Sequence, residues 1–456
     1  LEIVQTLQTA GHVAYFAGGC VRDALLGMTP QDYDVATSAL PEEVARLFRN
    51  TQFVGEAFGV ALVRYKKQAV EVATFRKESG YNDGRHPTQV EFSDAQNDAS
   101  RRDFTINGLF ENPLATNPAE SIIDFVNGQA DLQSKTLRAI GNPDERFAED
   151  YLRMLRAIRF AARLNFTIEE KTARAITINA HYLGQISRER IGQEIMAMLT
   201  PQTASQLSQQ PTDPAAAHPI VRAVQLIQSL KLDGPSLNTS NIPAALPTLI
   251  NLTAQIKVPP SDQDAVQYPI CLLAWLLDRL TADRLQQQPQ SQSRQPHAQA
   301  TTTYLTWLLD WIHRDAAVVL SLWRKALILS NAVHDTMASC LSLVAQAANW
   351  SDMSVAKQKR LLAHPNWPGA HTLLAALAYQ PCLQAILAPI DQQSPALIVS
   401  GLTPEQLITG EDLIKLGQKP GPSFRRLLDQ VYDLQLEGRI NHKTDAINWL
   451  KDHLKP

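Results

Sequence analysis

The chain has 456 residues, 45% hydrophobic and 19% charged, which allows about two to four domains with buried cores and excludes a chain disordered throughout. Lys and Arg total 42 against 45 Asp and Glu, a net charge of −3, which excludes a polybasic protein that grips nucleic acid by bulk charge. Any contact with RNA has to come from a local patch, because only charges near the phosphates survive physiological screening.

The first 140 residues alternate between strand and helix patterns, and the rest reads as helix, so the predicted class is α+β. Residues 12–17 predict a strand, 21–26 a helix and 34–36 a short strand. Residues 41–48 predict a helix with Pro41 at its start, where a missing N–H costs nothing. The β-rich runs 60–65 and 70–75 are separated by Lys66-Lys67-Gln68, a hairpin turn pattern. Residues 76–91, with two Gly, a Pro and mixed charges, predict a loop. Residues 148–164 repeat with a helical period, and Thr167-Ile168-Glu169-Glu170 is a capping-box pattern for the next helix. Beyond about residue 200 the strand signal disappears. Segments 209–219 and 285–303 read as weak points, the second as a mobile loop, and Thr403-Pro404-Glu405-Gln406 as a capping box opening a last helical unit. The cysteines Cys20, Cys271, Cys340 and Cys382 are far apart with no CxxC pair, which fits a reducing cytosol rather than a zinc cluster or disulfide scaffold. The longest strongly apolar run, 269–277, is too short to span a bilayer, and no secretory signal is visible, so the expected location is the cytoplasm, away from membranes. The chain begins at Leu1 rather than Met, so a few native residues are expected to precede it.

Chemistry concentrates near the N-terminus. Gly18-Gly19-Cys20-Val21-Arg22-Asp23 follows a predicted strand. Glycines there admit a ligand close to the backbone, helix N-terminal N–H groups suit phosphate, and Arg22 adds a charge-assisted contact. Asp32 and Asp34, two apart on an extended segment, direct both carboxylates the same way. Like charges so close repel unless a cation joins them, and oxygen donors suit Mg²⁺. Glu71 lies in a strand apolar on both sides and is expected to need a partner, which a shared metal supplies. Three carboxylates with divalent ions describe phosphoryl or nucleotidyl transfer.

These residues, with Glu71 to Arg76, Arg101-Arg102-Asp103-Phe104-Thr105-Ile106-Asn107, Glu149-Asp150-Tyr151-Leu152-Arg153, Arg156-Ala157-Ile158-Arg159-Phe160 and Arg188-Glu189-Arg190-Ile191-Gly192, occur in an order that resembles the class II tRNA nucleotidyltransferase and bacterial poly(A) polymerase superfamily. The resemblance covers about residues 10–200. It implies a nucleotidyltransferase-fold head (1–141), a helical neck for base recognition and RNA binding (142–200), a helical body (201–395) and a helical tail (396–456) that contacts tRNA. It implies that Asp32, Asp34 and Glu71 are the catalytic metal ligands for Mg²⁺. Nucleotide binding falls to Gly18, Gly19, Arg22, Arg102, Asp103, Asn107, Asp150, Arg153, Arg156 and Arg159. Tyr151 is bulkier than expected and matters only if it enters the base pocket.

At 100° per residue Arg153, Arg156, Arg159 and Arg163 share one helix face, and Asp150, three residues before Arg153, lies beside it on the same helix. A carboxylate accepts and a guanidinium donates. Such a pair suits cytosine and adenine and leaves the carbonyls of guanine and uracil mismatched. Glu56-Ala57 stands where bacterial poly(A) polymerases carry two basic residues, so the expected activity is CCA addition to the tRNA 3′ end from CTP and ATP. The 76–87 segment, with Arg76 and Asp83, resembles the flexible loop that full CCA enzymes keep. An A-adding specialist, a poly(A) polymerase and a catalytically idle RNA-binding protein are the alternatives. Oligomeric state is not readable. His334-Asp335 is expected to be a helix-surface pair, and Trp275, Trp307, Trp311 and Trp323 are expected to fill helical cores.

Overall fold

The structure is a computed structural model, and it describes residues 1–30, 32–53, 59–66, 68–81, 87–117, 120–200, 218–256, 264–287 and 297–453. Two compact units divide the chain: residues 1–244 with two short later segments, and most of the remainder.

The first unit is built on a seven-stranded sheet. Its strands are β1 (Ala14–Ala17), β2 (Asp34–Thr37), β3 (Thr51–Phe53), β4 (Val60–Tyr65), β5 (Gln68–Thr74) and, after the hairpin β6 (Arg76–Tyr81) with β7 (Pro87–Phe92), β8 (Leu109–Glu111) and β9 (Ile122–Asp124). The order is β3-β4-β5-β2-β1-β8-β9, antiparallel except where β2 runs parallel to β5. Side-chain alternation gives the sheet two apolar faces. Ala14, Val35, Val63 and Val72 pack with Ile3, Val4 and Leu7 of helix α1 (Glu2–Thr9) and Val44 of α3 (Pro41–Leu47); α2 (Gly19–Leu25) follows β1. Ala17, Ala36, Phe75 and Phe110 form the core of the opposite face with Ala99 of α4 (Ala95–Ser100).

Helices α5 (Gly128–Gln133), α6 (Pro143–Glu149), α7 (Leu152–Leu164), α8 (Glu170–Asn179) and α9 (Arg188–Leu199) follow. Arg146 of α6 ties this helical part to the head by donating to the carbonyls of Ser100 (2.8 Å), Arg101 (3.2 Å) and Ile140 (3.1 Å). The second unit is helical, with Trp275 and Trp323 packed edge to face at 5.6 Å, Trp311 buried and Trp307 half-buried beside Arg284. Its last part has its own apolar cluster around Leu413, Val431 and Leu450. No helix among the described residues is long and apolar enough to cross a membrane.

The α+β class holds, while several local expectations give way. The 76–91 segment is not a loop: β6 and β7 pair antiparallel, Arg76 opposite Phe92 and Tyr81 opposite Pro87. Polar residues satisfy backbone pairing as well as apolar ones, so composition hid the ladder. The helix expected over 148–164 is interrupted: Asp150 has an extended backbone (φ −158°, ψ 103°), and its carboxylate accepts from the Leu152 N–H that starts α7. Thr167-Ile168 forms a two-residue strand with Thr136-Leu137, and Glu169, not Thr167, caps α8. Likewise Thr409 with Asp412, not Thr403 with Gln406, makes the capping box before the helix Gly410–Lys415. Much of 285–303 is helical, since Asp264–Gln287 and His297–Arg314 enter it from both sides. The helix Pro381–Val399 runs across the expected body–tail division at 395/396. His334 and Asp335 do pair on a helix surface, at 3.1 Å. Asp83, Glu56-Ala57 and most of 209–219 lie outside the described residues.

Candidate active site

A cavity of about 670 Å³ opens on the sheet face that carries Ala17 and Ala36. Its lining includes Gly18, Gly19, Arg22, Asp32, Asp34, Glu71, Arg102, Asp103, Asn107, Asp150, Arg153, Arg156 and Arg159. Every sequence-predicted site residue is therefore brought together except the loop pair: Arg76 is not among the described lining residues, and Asp83 is not described.

The carboxylates come from two strands. Val35 is paired with Val72 in the parallel β2–β5 ladder, so one step earlier Asp34 stands beside Glu71 on the cavity face. Glu71 is exposed, contrary to the expectation of a buried carboxylate. Its strand sends Val72 and Thr74 to the core and Glu71 to the open face, so its apolar neighbours in sequence are not its neighbours in space. The Asp34 carboxyl is pushed above its usual value, first by burial and then by Glu71 and Asp32, with Arg102 opposing.

The phosphate side is built around Gly18, which adopts φ 71°. A Cβ there would stand 2.6 Å from Arg102 Nη1, so Arg102 lies against the glycine turn. Arg102 donates to Asp98 Oδ2 (3.0 Å) and to the Asn107 carbonyl (3.1 Å). Arg22, only 4% exposed, donates to Asp23 Oδ1 (2.7 Å) and Asn107 Oδ1 (2.7 Å). Asn107 in turn donates to Asp103 Oδ1 (3.0 Å). Arg156 closes on Asp103 Oδ2 through two bonds, 2.9 and 2.8 Å. Burial alone would raise the Asp103 pKa, but Arg156 and the bond from Asn107 outweigh it and hold it down to about 2.

On α7, Arg153, Arg156, Arg159 and Arg163 all line the cavity, while Met154, Leu155, Ile158 and Ala161 are buried, as the 100° spacing predicts. Asp150 and Arg153 both line the cavity, but no ion pair forms between them. Asp150 pairs with Arg190 of α9 at 2.6 Å, and Arg153 pairs with Glu149 and bonds the Arg146 carbonyl at 2.9 Å. The break before α7 removes the helical geometry on which that pair depended. Tyr151 is not among the lining residues and stacks on Tyr182 at 4.9 Å. Missed by the sequence reading were Arg190, which sits in a quoted motif but had no assigned role, Glu194, which takes Arg159 at 2.7 Å, and Asp98, which anchors Arg101 and Arg102.

Residues 14–138 match the poly A polymerase head domain, and residues 165–209 match the domain described as the "probable RNA and SrmB-binding site of polymerase A". The N-terminal part of this chain is thus similar to poly(A) polymerase heads. A CCA-adding enzyme of Levilactobacillus brevis is 44% identical over 205 residues, 45% of this chain and 50% of that protein. A CCA-adding enzyme of Enterococcus faecalis is 48% identical over 198 residues, 43% of this chain and 48% of that protein. The chain thus aligns with about half the length of the curated relatives it matches. The crystal structure of Bacillus stearothermophilus CCA-adding enzyme in complex with CTP superposes with a TM-score of 0.66 at 25% identity, covering 99% of this chain and 96% of that one.

A nucleotidyltransferase head implies a divalent metal ion. Among the described residues no three acidic, His or Cys side chains form a closed ligand cluster. The donors still suit a hard cation: Asp32, Asp34 and Glu71 offer only oxygen, and Glu71 and Asp32 add to the burial that raises Asp34. An incompletely caged ion that takes its remaining ligands from substrate phosphates is the usual arrangement for Mg²⁺.

Proposed function

We propose that this protein adds CMP and AMP from CTP and ATP, without a nucleic-acid template, to the 3′ end of tRNA, making or repairing the CCA end in the cytoplasm. One observation carries the reading: a single cavity holds three carboxylates, a phosphate-type glycine turn and an arginine row on a head of this family. The 3′ hydroxyl oxygen bonds to the α-phosphorus, the bond from that phosphorus to the β-phosphate bridge breaks, and pyrophosphate leaves. Asp32, Asp34 and Glu71 would hold Mg²⁺, which when bound activates the hydroxyl and steadies the leaving group.

The protein's own groups bind and orient. Gly18 and Gly19 let the triphosphate reach the backbone, and Arg22 and Arg102 supply fixed positive charge. Asp103 and Asn107 serve the ribose side while anchoring Arg156 and Arg22. Asp150 accepts from the amino group of cytosine or adenine, and Arg153 donates to the ring acceptors. Residues 1–141 act as catalytic head, 142–200 as neck, 201–395 as body and 396–456 as tail on the tRNA, with the 76–87 segment, including Arg76 and Asp83, switching the pocket from C to A.

The test is to give the pure protein tRNA lacking CCA, with CTP, ATP or both, in the presence and absence of Mg²⁺, and to sequence the products. Defined CCA ends support the proposal. Long A tails indicate a poly(A) polymerase, A added only after CC the specialist, and no extension a binding protein.

A further inference from the structure

Three guanidinium groups converge on one buried ring. The Phe160 side chain is 6% exposed, and the Arg159, Arg22 and Arg156 guanidinium carbons lie 4.6, 5.1 and 5.3 Å from its centroid. Two of these arginines are on α7 with Phe160, and the third is on α2 behind the glycine turn. Phe104 meets the ring edge to face at 5.9 Å, which fixes its plane. Cations are drawn to the negative face of an aromatic ring within about 6 Å.

We propose that Phe160 is the positioning residue that gathers these arginines for the anionic part of the substrate. Like charges crowded beside one cavity repel, so something must hold them. Carboxylates do part of this: Arg22 has Asp23, Arg156 has Asp103 and Arg159 has Glu194. Each such pair, however, cancels the positive charge that a triphosphate needs. A phenyl ring attracts through its quadrupole and carries no net charge. Phe160 therefore adds attraction to the cluster without lowering its charge further. The effect acts on the phosphates that CTP and ATP share, so it sets affinity and not the choice of base. The inference rests on the nucleotide reading of the cavity.

The experiment replaces Phe160 in the full chain with 4-fluoro-, 3,5-difluoro- and 3,4,5-trifluorophenylalanine. These rings nearly keep the phenyl shape while the face loses negative charge stepwise. Dissociation constants are measured for CTP, ATP and inorganic tripolyphosphate, with thermal melting as a control on the fold. Expected is a graded weakening that reaches about tenfold for the trifluoro ring and is equal for all three ligands. Phe160→Leu should weaken binding at least as much. A flat fluorine series would overturn the proposal and leave Phe160 as packing alone, as would weakening of one nucleotide but not the other. If the unsubstituted protein bound tripolyphosphate but neither nucleotide, the nucleotide reading would fail, while the series on tripolyphosphate would still decide the role of Phe160.

Discussion

Asp150 closes its ion pair on Arg190, forty positions along the chain, at 2.6 Å, although Arg153 is three positions away. A second bond from Arg190 at 3.3 Å and the Leu152 N–H at 3.0 Å occupy the other carboxylate oxygen. The carboxylate proposed to read the base is thus aimed by α9 and by the start of α7.

From this, Asp150→Ala should raise incorporation of UTP or GTP relative to CTP by about tenfold or more, because the acceptor that penalises their carbonyls is gone. Arg190→Gln should cost a smaller part of the same selectivity, and the double variant should be no worse than Asp150→Ala, since Arg190 acts through Asp150. Competition assays with mixed nucleotides measure this. Unchanged selectivity at a reduced rate would make Asp150 structural.

Asp34 and Glu71 sit side by side only because β2 and β5 run parallel in the register Val35 to Val72. Asp32→Ala or Asp34→Ala should lower addition of both C and A by about a thousandfold or more and leave tRNA binding largely intact. Single-turnover extension and filter binding separate the two effects. Loss of only one nucleotide would exclude a common metal site.

The β6–β7 hairpin leaves the sheet directly after the strand that carries Glu71. Exchanging residues 78–86 for a short Gly-Ser linker should leave CC addition nearly normal and slow the final A at least about tenfold, if the hairpin reshapes the pocket between steps. Product ends resolved on a gel report the outcome. Normal CCA ends would remove the switching role, and equal loss of C and A would mean damage to the head.

In the second unit the buried Asp278 caps the helix Pro247–Gln255, accepting from the Thr248 and Leu249 N–H groups at 3.0 Å each. Burial, partly offset by those bonds, raises its carboxyl from 3.8 to about 6. A raised folded pKa means that the native state binds the proton more tightly than the unfolded chain. The stability contribution is full below the unfolded value and is lost as pH rises through about 6. The swing is on the order of 3 kcal/mol. Urea melts of the natural chain and of Asp278→Asn between pH 4 and 8 should therefore differ in slope, with only the natural chain losing this contribution as pH rises.

Local pattern marked four of the seven strands of the head sheet, the arginine face of α7, the glycine turn at Gly18 and the three carboxylates, and the family resemblance added Arg102, Asp103 and Asn107 to the cavity residues. The locally patterned features depend on side-chain periodicity and backbone freedom, which neighbouring residues dictate. What tertiary structure decided were the partners. Asp103 meets Arg156 fifty-three positions away, and Asp150 meets Arg190 instead of Arg153. Glu71 turns out to stand on an open face, and the largely polar strands 76–81 and 87–92 pair antiparallel. A buried charge takes the nearest opposite charge that packing delivers, and a backbone N–H takes whichever carbonyl completes its ladder. Neither is written in the spacing of residues along the chain, because both are chosen only when distant elements come together.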